Sequence, residues 1–270
     1  MVRSISGRMA AVTAAALVVG GSLAYSAGAA AAPHPRIPKL SHQLCYNATA
    51  KGFKIPATVT LYDRLSPHGF KPKIIAAVLH CNPVTKTVIS ATGGTTVYPI
   101  TNAAAHLACF TIKEAKQPTP VVFVANQFGA GGLIPAQPTM LCLPSWKSLT
   151  GPPKMKAPQP PGLDHFVCYP VTATHAKFAV PSLTLQDEFA AKPVTTRVGS
   201  APGLLCLPAK KVIAGAAFGI LHPNGSLVCF PVLKTPIRTP VYDQNQFGTA
   251  TVTITKVHWL CLPSKVTGVG

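Results

Sequence analysis

The sequence predicts an all-β protein of two tandem, disulfide-stapled domains, each a β-sandwich or β-barrel-like body built from two repeats of roughly 60 residues. Three observations predict it. Eight cysteines fall two apiece into four look-alike segments. Apolar and polar residues alternate with period two wherever an uninterrupted stretch can be tested. Prolines are too frequent for long helices.

The repeats open at His42-Gln43-Leu44-Cys45-Tyr46, His106-Leu107-Ala108-Cys109-Phe110, His165-Phe166-Val167-Cys168-Tyr169 and Ser226-Leu227-Val228-Cys229-Phe230. Each closes on a cysteine followed two residues later by proline: Cys81 and Pro83, Cys142 and Pro144, Cys206 and Pro208, Cys261 and Pro263. The first cysteines recur at offsets of 64, 59 and 61 residues. A second rhythm lies over the first. Repeats 2 and 4 share Asn-Gln-Phe-Gly (Asn126–Gly129, Asn245–Gly248), and repeats 1 and 3 share His-x-x-Cys-Tyr, giving an A-B-A-B order.

Residues 1–32 read as a secretory signal, with Arg3 and Arg8 ahead of an apolar run and then small residues suited to cleavage. The run is shorter than the roughly 20 residues of a bilayer-spanning helix. The first β domain is placed at 33–148. Residues 149–161, rich in proline, read as an extended linker, and the second β domain follows at 162–270. Within these, Ser182–Gln186 and Thr249–Thr255 read as strands, and Lys211–Leu221, with Gly215 and Gly219, is the best helical candidate, taken as a short connector.

Export places the cysteines in an oxidising compartment, where an even count favours disulfides. The simplest pairing lies within each repeat: Cys45 with Cys81, Cys109 with Cys142, Cys168 with Cys206, Cys229 with Cys261. Reciprocal exchange between the two repeats of one domain is the alternative. Loops of this length correspond to roughly 3–4 kcal/mol per bond on an entropic account.

The motif Asp/Asn-x-Phe/Leu recurs as Asp63-Arg64-Leu65, Asn126-Gln127-Phe128, Asp187-Glu188-Phe189 and Asn245-Gln246-Phe247. A catalytic carboxylate cannot become an amide and keep its proton chemistry, so these side chains read as turn formers whose oxygen accepts a backbone hydrogen bond. His42, His106 and His165 stand three residues before a first cysteine, as His258 does before Cys261, and Ser226 takes that place in repeat 4. Oxidised sulfurs cannot serve as thiolate ligands. The histidines therefore read as strand-face residues, and no metal or cofactor is expected.

No Gly-x-Ser-x-Gly, His-Glu-x-x-His or phosphate-loop motif is present. Glu114, Asp164, Glu188 and Asp243 are the only carboxylates left for a glycosidase-like pair, so no catalytic residue is assigned, and a secreted hydrolase acting on an extracellular polymer is the competing class. Removing the signal leaves 22 basic against six acidic residues, a net charge of +16, distributed as +9, +2 and +5 over the first domain, linker and second domain. That balance favours anionic surroundings such as envelope polymers or polysaccharide. No basic run interleaved with aromatics points to specific nucleic-acid binding. Lys86, Lys147, Lys211 and Lys265 follow the second cysteine of each repeat and are the expected spaced cationic row for an anionic ligand.

The combination of His-x-x-Cys-Tyr, Asp/Asn-Gln-Phe-Gly and Leu-Cys-x-Pro-x-x-Lys resembles a family of secreted bacterial and archaeal repeats known only as a domain of unknown function. The similarity covers about residues 42–265 and is clearest in His165–Lys211 and in the closings Leu141–Pro144 and Leu260–Pro263. Repeat 1 departs from it with Leu65-Ser66 for Phe-Gly and Asn82 for leucine. The resemblance implies an extracellular, disulfide-linked β module and brings no ligand or activity.

Overall fold

The computed structural model describes residues 40–270 save 91, 115–119, 158, 234 and 235, so residues 1–32, expected to be a signal, lie outside the described residues. Sixteen strands and no helix are found there: β1 (His42–Lys51), β2 (Val59–Tyr62), β3 (Lys73–Ile89), β4 (Thr95–Tyr98), β5 (His106–Lys113), β6 (Val122–Asn126), β7 (Gly129–Pro135), β8 (Met140–Ser148), β9 (His165–Phe178), β10 (Ser182–Gln186), β11 (Val194–Thr196), β12 (Leu204–Ile213), β13 (Ala216–Phe218), β14 (Ser226–Pro231), β15 (Pro236–Asn245) and β16 (Gly248–Val269). Among the described residues no helix is long and apolar enough to cross a membrane.

Eight of these strands close on themselves. Antiparallel pairing runs β1–β3–β5–β8–β9–β12–β14–β16 and back to β1. Each strand of this barrel carries one cysteine, and within a repeat the two stand directly opposite each other, Cys45 against Cys81, Cys109 against Cys142, Cys168 against Cys206 and Cys229 against Cys261. The four bridges form in that pattern. At each junction between repeats the register steps by two residues in the same sense, for example Cys81 opposite Leu107 and Cys142 opposite Phe166. The accumulated stagger is what lets a flat ladder wrap into a barrel just wide enough to be filled by side chains. Here the filling is largely sulfur: the cysteines pack with Leu79, Leu107, Phe166, Leu204, Leu227 and Trp259 into one buried cluster. Neighbouring bridges touch, with Cys45 Sγ 3.9 Å from Cys261 Sγ and Cys142 Sγ 3.7 Å from Cys168 Sγ.

The closing strand of each repeat runs on past the barrel and pairs with the strand before the Asp/Asn turn of the repeat two places away. The end of β3 pairs with β10, β8 with β15, β12 with β2, and β16 with β6. Repeats 1 and 3 thus exchange strands reciprocally, as do 2 and 4, and the larger apolar core lies between the barrel and these outer sheets. This corrects the two-domain expectation. Residues 149–161 do not separate two cores: β8 pairs with β9 across them, and the described residues fall in one compact unit. Two repeats supply only four barrel strands, which closes a barrel only when the other four join. The expected connector at Lys211–Leu221 is a hairpin between β12 and β13, because Ala214 and Gly215 both take positive φ (46° and 81°), the backbone of a two-residue turn matched to strand twist.

Candidate functional site

The Asp/Asn turns are built alike. The Oδ1 of Asp63, Asn126, Asp187 and Asn245 accepts the backbone N–H two residues on, from Leu65, Phe128, Phe189 and Phe247, at 2.8, 2.8, 3.1 and 2.7 Å. What selects Asp over Asn is the residue across the structure. Tyr46 donates its hydroxyl to Asp187 Oδ2 (2.7 Å) and Tyr169 donates to Asp63 Oδ2 (2.6 Å), so repeats 1 and 3 lock each other. Repeats 2 and 4 carry Phe110 and Phe230 there, which stack edge-on with Phe247 and Phe128 at 4.9 and 5.1 Å, and the turn residue facing a ring without a hydroxyl is Asn. Burial pushes both phenols and the Asp63 carboxyl above their ordinary ranges, the phenols raised further by their aspartates and Asp63 partly held back by the hydrogen bonds it accepts.

In three of the four turns the middle residue lands on the preceding repeat, and Arg64 of the first turn is exposed. Gln127 Oε1 meets His42 Nε2 at 2.9 Å and lies against Lys86 Nζ. Gln246 Oε1 meets His165 Nε2 at 3.0 Å and lies against Lys211 Nζ. Glu188 pairs with Lys147, whose side chain is buried. Each lysine also faces the ring of the same turn, Lys86 over Phe128 at 4.8 Å, Lys147 over Phe189 at 4.6 Å and Lys211 over Phe247 at 5.2 Å.

The expected cationic row on the surface is therefore not there: Lys86 and Lys211 are fully buried, Lys147 hides its side chain, and Lys265 alone is half-buried. The physical reason is parity. The first three lysines stand five residues after a cysteine that points into the barrel, which on a strand places them on the opposite face, inside the outer core. Lys265 stands four residues after Cys261 and is out of step. The residue in register is Val266, which pairs opposite Val124 as Lys86 pairs opposite Leu185, Lys147 opposite Asp243 and Lys211 opposite Leu61.

The fourth position thus replaces the whole constellation at once. Ser226 stands for histidine, Val266 for lysine, Arg64 for the amide or carboxylate and Leu65 for phenylalanine. A buried lysine without an acceptor would be costly, and none is kept where the acceptor is gone. Sequence reasoning noted these lysines and histidines separately but missed that they converge on the next repeat's turn. The signal available was their joint loss in repeat 4.

A second polar cluster breaks the repeat in another way. His80 stands where other repeats have Leu141, Leu205 and Leu260, Asn82 where they have Leu143, Leu207 and Leu262, and Asp243 where they have Leu61, Val124 and Leu185. His80 Nδ1 bonds Asp243 Oδ2 (3.1 Å) and its Nε2 bonds Asn82 Oδ1 (3.0 Å), with all three residues fully buried. Asn82 also donates to Asp187 Oδ2 (3.0 Å) and accepts from Lys147 Nζ (3.0 Å), and Ser145 donates to Asp243 (3.2 Å).

Burial pushes the His42 and His165 imidazoles down to about 3 and that of His106 to about 2, with the adjacent lysines acting in the same direction. All three stay neutral in the fold, while the unfolded chain takes up their protons near pH 6.5. The unfolded state then binds more protons at every pH from about 6.5 down to about 3, so stability falls as pH falls through that window. The expected cost is on the order of a few kcal/mol per histidine at the acid end. Thermal melts between pH 7 and 4 check this, and a His42→Asn/His165→Asn double substitution is expected to flatten the slope.

Of the carboxylates considered for hydrolysis, Glu188 and Asp243 both act on Lys147. Asp164 accepts the backbone N–H groups of Leu221 and His222, Asp243 holds His80, Glu188 holds Lys147, and Glu114 is half-buried on the strand edge after β5. Among the described residues no group of three or more His, Cys, Asp or Glu is placed to hold a metal ion.

A family model described as a repeat of unknown function (DUF7450) matches residues 106–263, more than half of the chain, taking in repeats 2, 3 and most of 4. No curated protein and no solved structure matches the chain.

Proposed function

We propose that this chain, which belongs to the DUF7450 family of repeats of unknown function, is an exported, non-enzymatic module that binds anionic envelope or extracellular polymer through its surface charge. One observation carries the proposal: the charges are sorted by sign. Asp63, Asp164, Asp187 and Asp243 are buried, and Glu188 is paired with Lys147. Of the described lysines and arginines, all but Lys86, Lys147, Lys211, Lys256 and Lys265 are exposed. The solvent face is cationic with almost nothing to neutralise it, which draws polyanions at long range. Four disulfides suit an oxidising compartment outside the cytoplasm. Against hydrolysis stands the cavity of about 170 Å³ beside Tyr46, walled by Leu44, Leu185, Val232 and Val257, whose carboxylate, Asp187, is committed to Tyr46, Asn82 and its own turn.

Retention of the mature protein on immobilised anionic polysaccharide tests the proposal. Binding is expected at an ionic strength of about 0.02 M and release by about 0.5 M, where the screening length has shrunk to a few ångströms. Lys51→Gln, Lys54→Gln, Lys71→Gln and Lys73→Gln together are expected to shift release to lower salt. No retention at low salt, or an unchanged release point for this variant, overturns it.

A further inference from the structure

Two of the repeat interlocks have the makings of a covalent bond. At the first, Lys86 Nζ lies against the side-chain amide of Gln127, His42 Nε2 meets the amide oxygen at 2.9 Å, and the rings of Tyr98 and Phe128 stand 4.6 and 4.8 Å from the lysine nitrogen. At the second, Lys211 Nζ lies against the amide of Gln246, His165 Nε2 meets its oxygen at 3.0 Å, and Phe218 and Phe247 stand 5.3 and 5.2 Å away. The two constellations are copies: amine, amide, imidazole and two rings in the same roles. Both lysines are fully buried. The Nε2 of Gln246 is buried and makes no hydrogen bond, so the site holds the amide by its oxygen and leaves the nitrogen unheld.

We propose that Lys86 with Gln127, and Lys211 with Gln246, are joined by intramolecular isopeptide bonds that form within the folded chain. The lysine Nζ attacks Cδ of the glutamine, and a C–N bond to Nζ forms as the bond from Cδ to the amide nitrogen breaks. One proton passes from Nζ to the departing nitrogen, which leaves as ammonia. No electrons are gained or lost, so no oxidant or further reactant is required. The imidazole N–H donates to the amide oxygen and stabilises the negative charge it gathers in the tetrahedral intermediate. Burial supplies the nucleophile, because desolvation brings both ammonium groups down to about 7 and an amine must be neutral to attack. It also keeps His42 and His165 neutral, with a ring N–H to donate.

The fourth interlock, between repeat 4 and the turn of repeat 1, has lost imidazole, amine and amide together, with Ser226, Val266 and Arg64 in their places, as expected of parts that work as one reaction. At the remaining interlock, His106 turns its Nδ1 to Asn82 Oδ1 (3.2 Å), and the acyl group is the carboxylate of Glu188, which pairs with Lys147 and has no amide nitrogen to leave as ammonia. The two bonds would tie β3 to the turn between β6 and β7, and β12 to the turn between β15 and β16, spanning 41 and 35 residues. Unlike the disulfides, they would survive reduction.

Mass spectrometry of the mature protein, reduced and denatured, tests this directly. The intact mass is expected to fall below that of its sequence by two molecules of ammonia, about 34 Da. A tryptic map should contain branched peptides joining Lys86 to Gln127 and Lys211 to Gln246, with no cleavage after either lysine. Each site controls for the other: Lys86→Met or His42→Ala is expected to halve the deficit and leave the Lys211–Gln246 peptide in place. Full sequence mass, or linear peptides cut after Lys86 and Lys211, from material whose four disulfides have formed overturns the proposal.

Discussion

Replacing Cys168 and Cys206 together by alanine is expected to lower the unfolding free energy by about 4 kcal/mol on the entropic account, before any packing loss is added. The bridge spans 38 residues, and freeing it restores that loop's conformational freedom to the unfolded chain. The packing loss is specific to this fold. Both cysteines lie inside the barrel, where Cys168 Sγ is 3.7 Å from Cys142 Sγ, so alanine opens a gap among the remaining sulfurs. A valine pair fills part of that gap without restoring the crosslink, and the difference between the two variants separates packing from loop entropy. Guanidinium melts of the two pairs against the parent give both quantities. Equal stability of the alanine pair and the parent would show that the barrel does not depend on its bridges.

Asp243→Ala is expected to cost about 3–5 kcal/mol, since it leaves His80, Ser145 and Asn245 without their shared acceptor in a place water does not reach. Asp243 and His80 have no exposed surface, and the carboxylate takes hydrogen bonds from His80 Nδ1 (3.1 Å), Ser145 Oγ (3.2 Å) and Asn245 Nδ2 (3.3 Å). The other repeats show how the same space is filled without polar atoms. A His80→Leu/Asn82→Leu/Asp243→Val variant restores the residues of those repeats and is expected to recover most of the loss. In repeat 3 Lys211 and His165 share the Gln246 amide oxygen, and the preceding repeat carries Leu143 where Asn82 stands, so Lys147, which has Glu188, does not require Asn82. Denaturant melts of the single and triple variants decide it, and a triple variant no better than the single one would show that the network is needed for the fold itself.

The disulfide pairing, the strands at Ser182–Gln186 and Thr249–Thr255, and the turn role of Asp63, Asn126, Asp187 and Asn245 were legible in the chain because each is local or repeated. The pairing of Cys168 with Cys206 needs only two strands of one repeat. The turn at Asn126 needs only the amide two residues on. The placement of Lys86 and Lys211 was not legible, because a lysine after a strand end reads as solvated until the outer sheet that covers it is known. That sheet is made by another repeat.

The amino-acid sequence by itself determined an all-β, four-repeat chain with one bridge per repeat, since periodicity and cysteine spacing act over short stretches. Only the tertiary structure decided that the repeats close into a single eight-stranded barrel, that three lysines point inward, and that each turn is completed by another repeat. These depend on which strands of different repeats pair, and the alternation within a strand is the same whichever partner it takes.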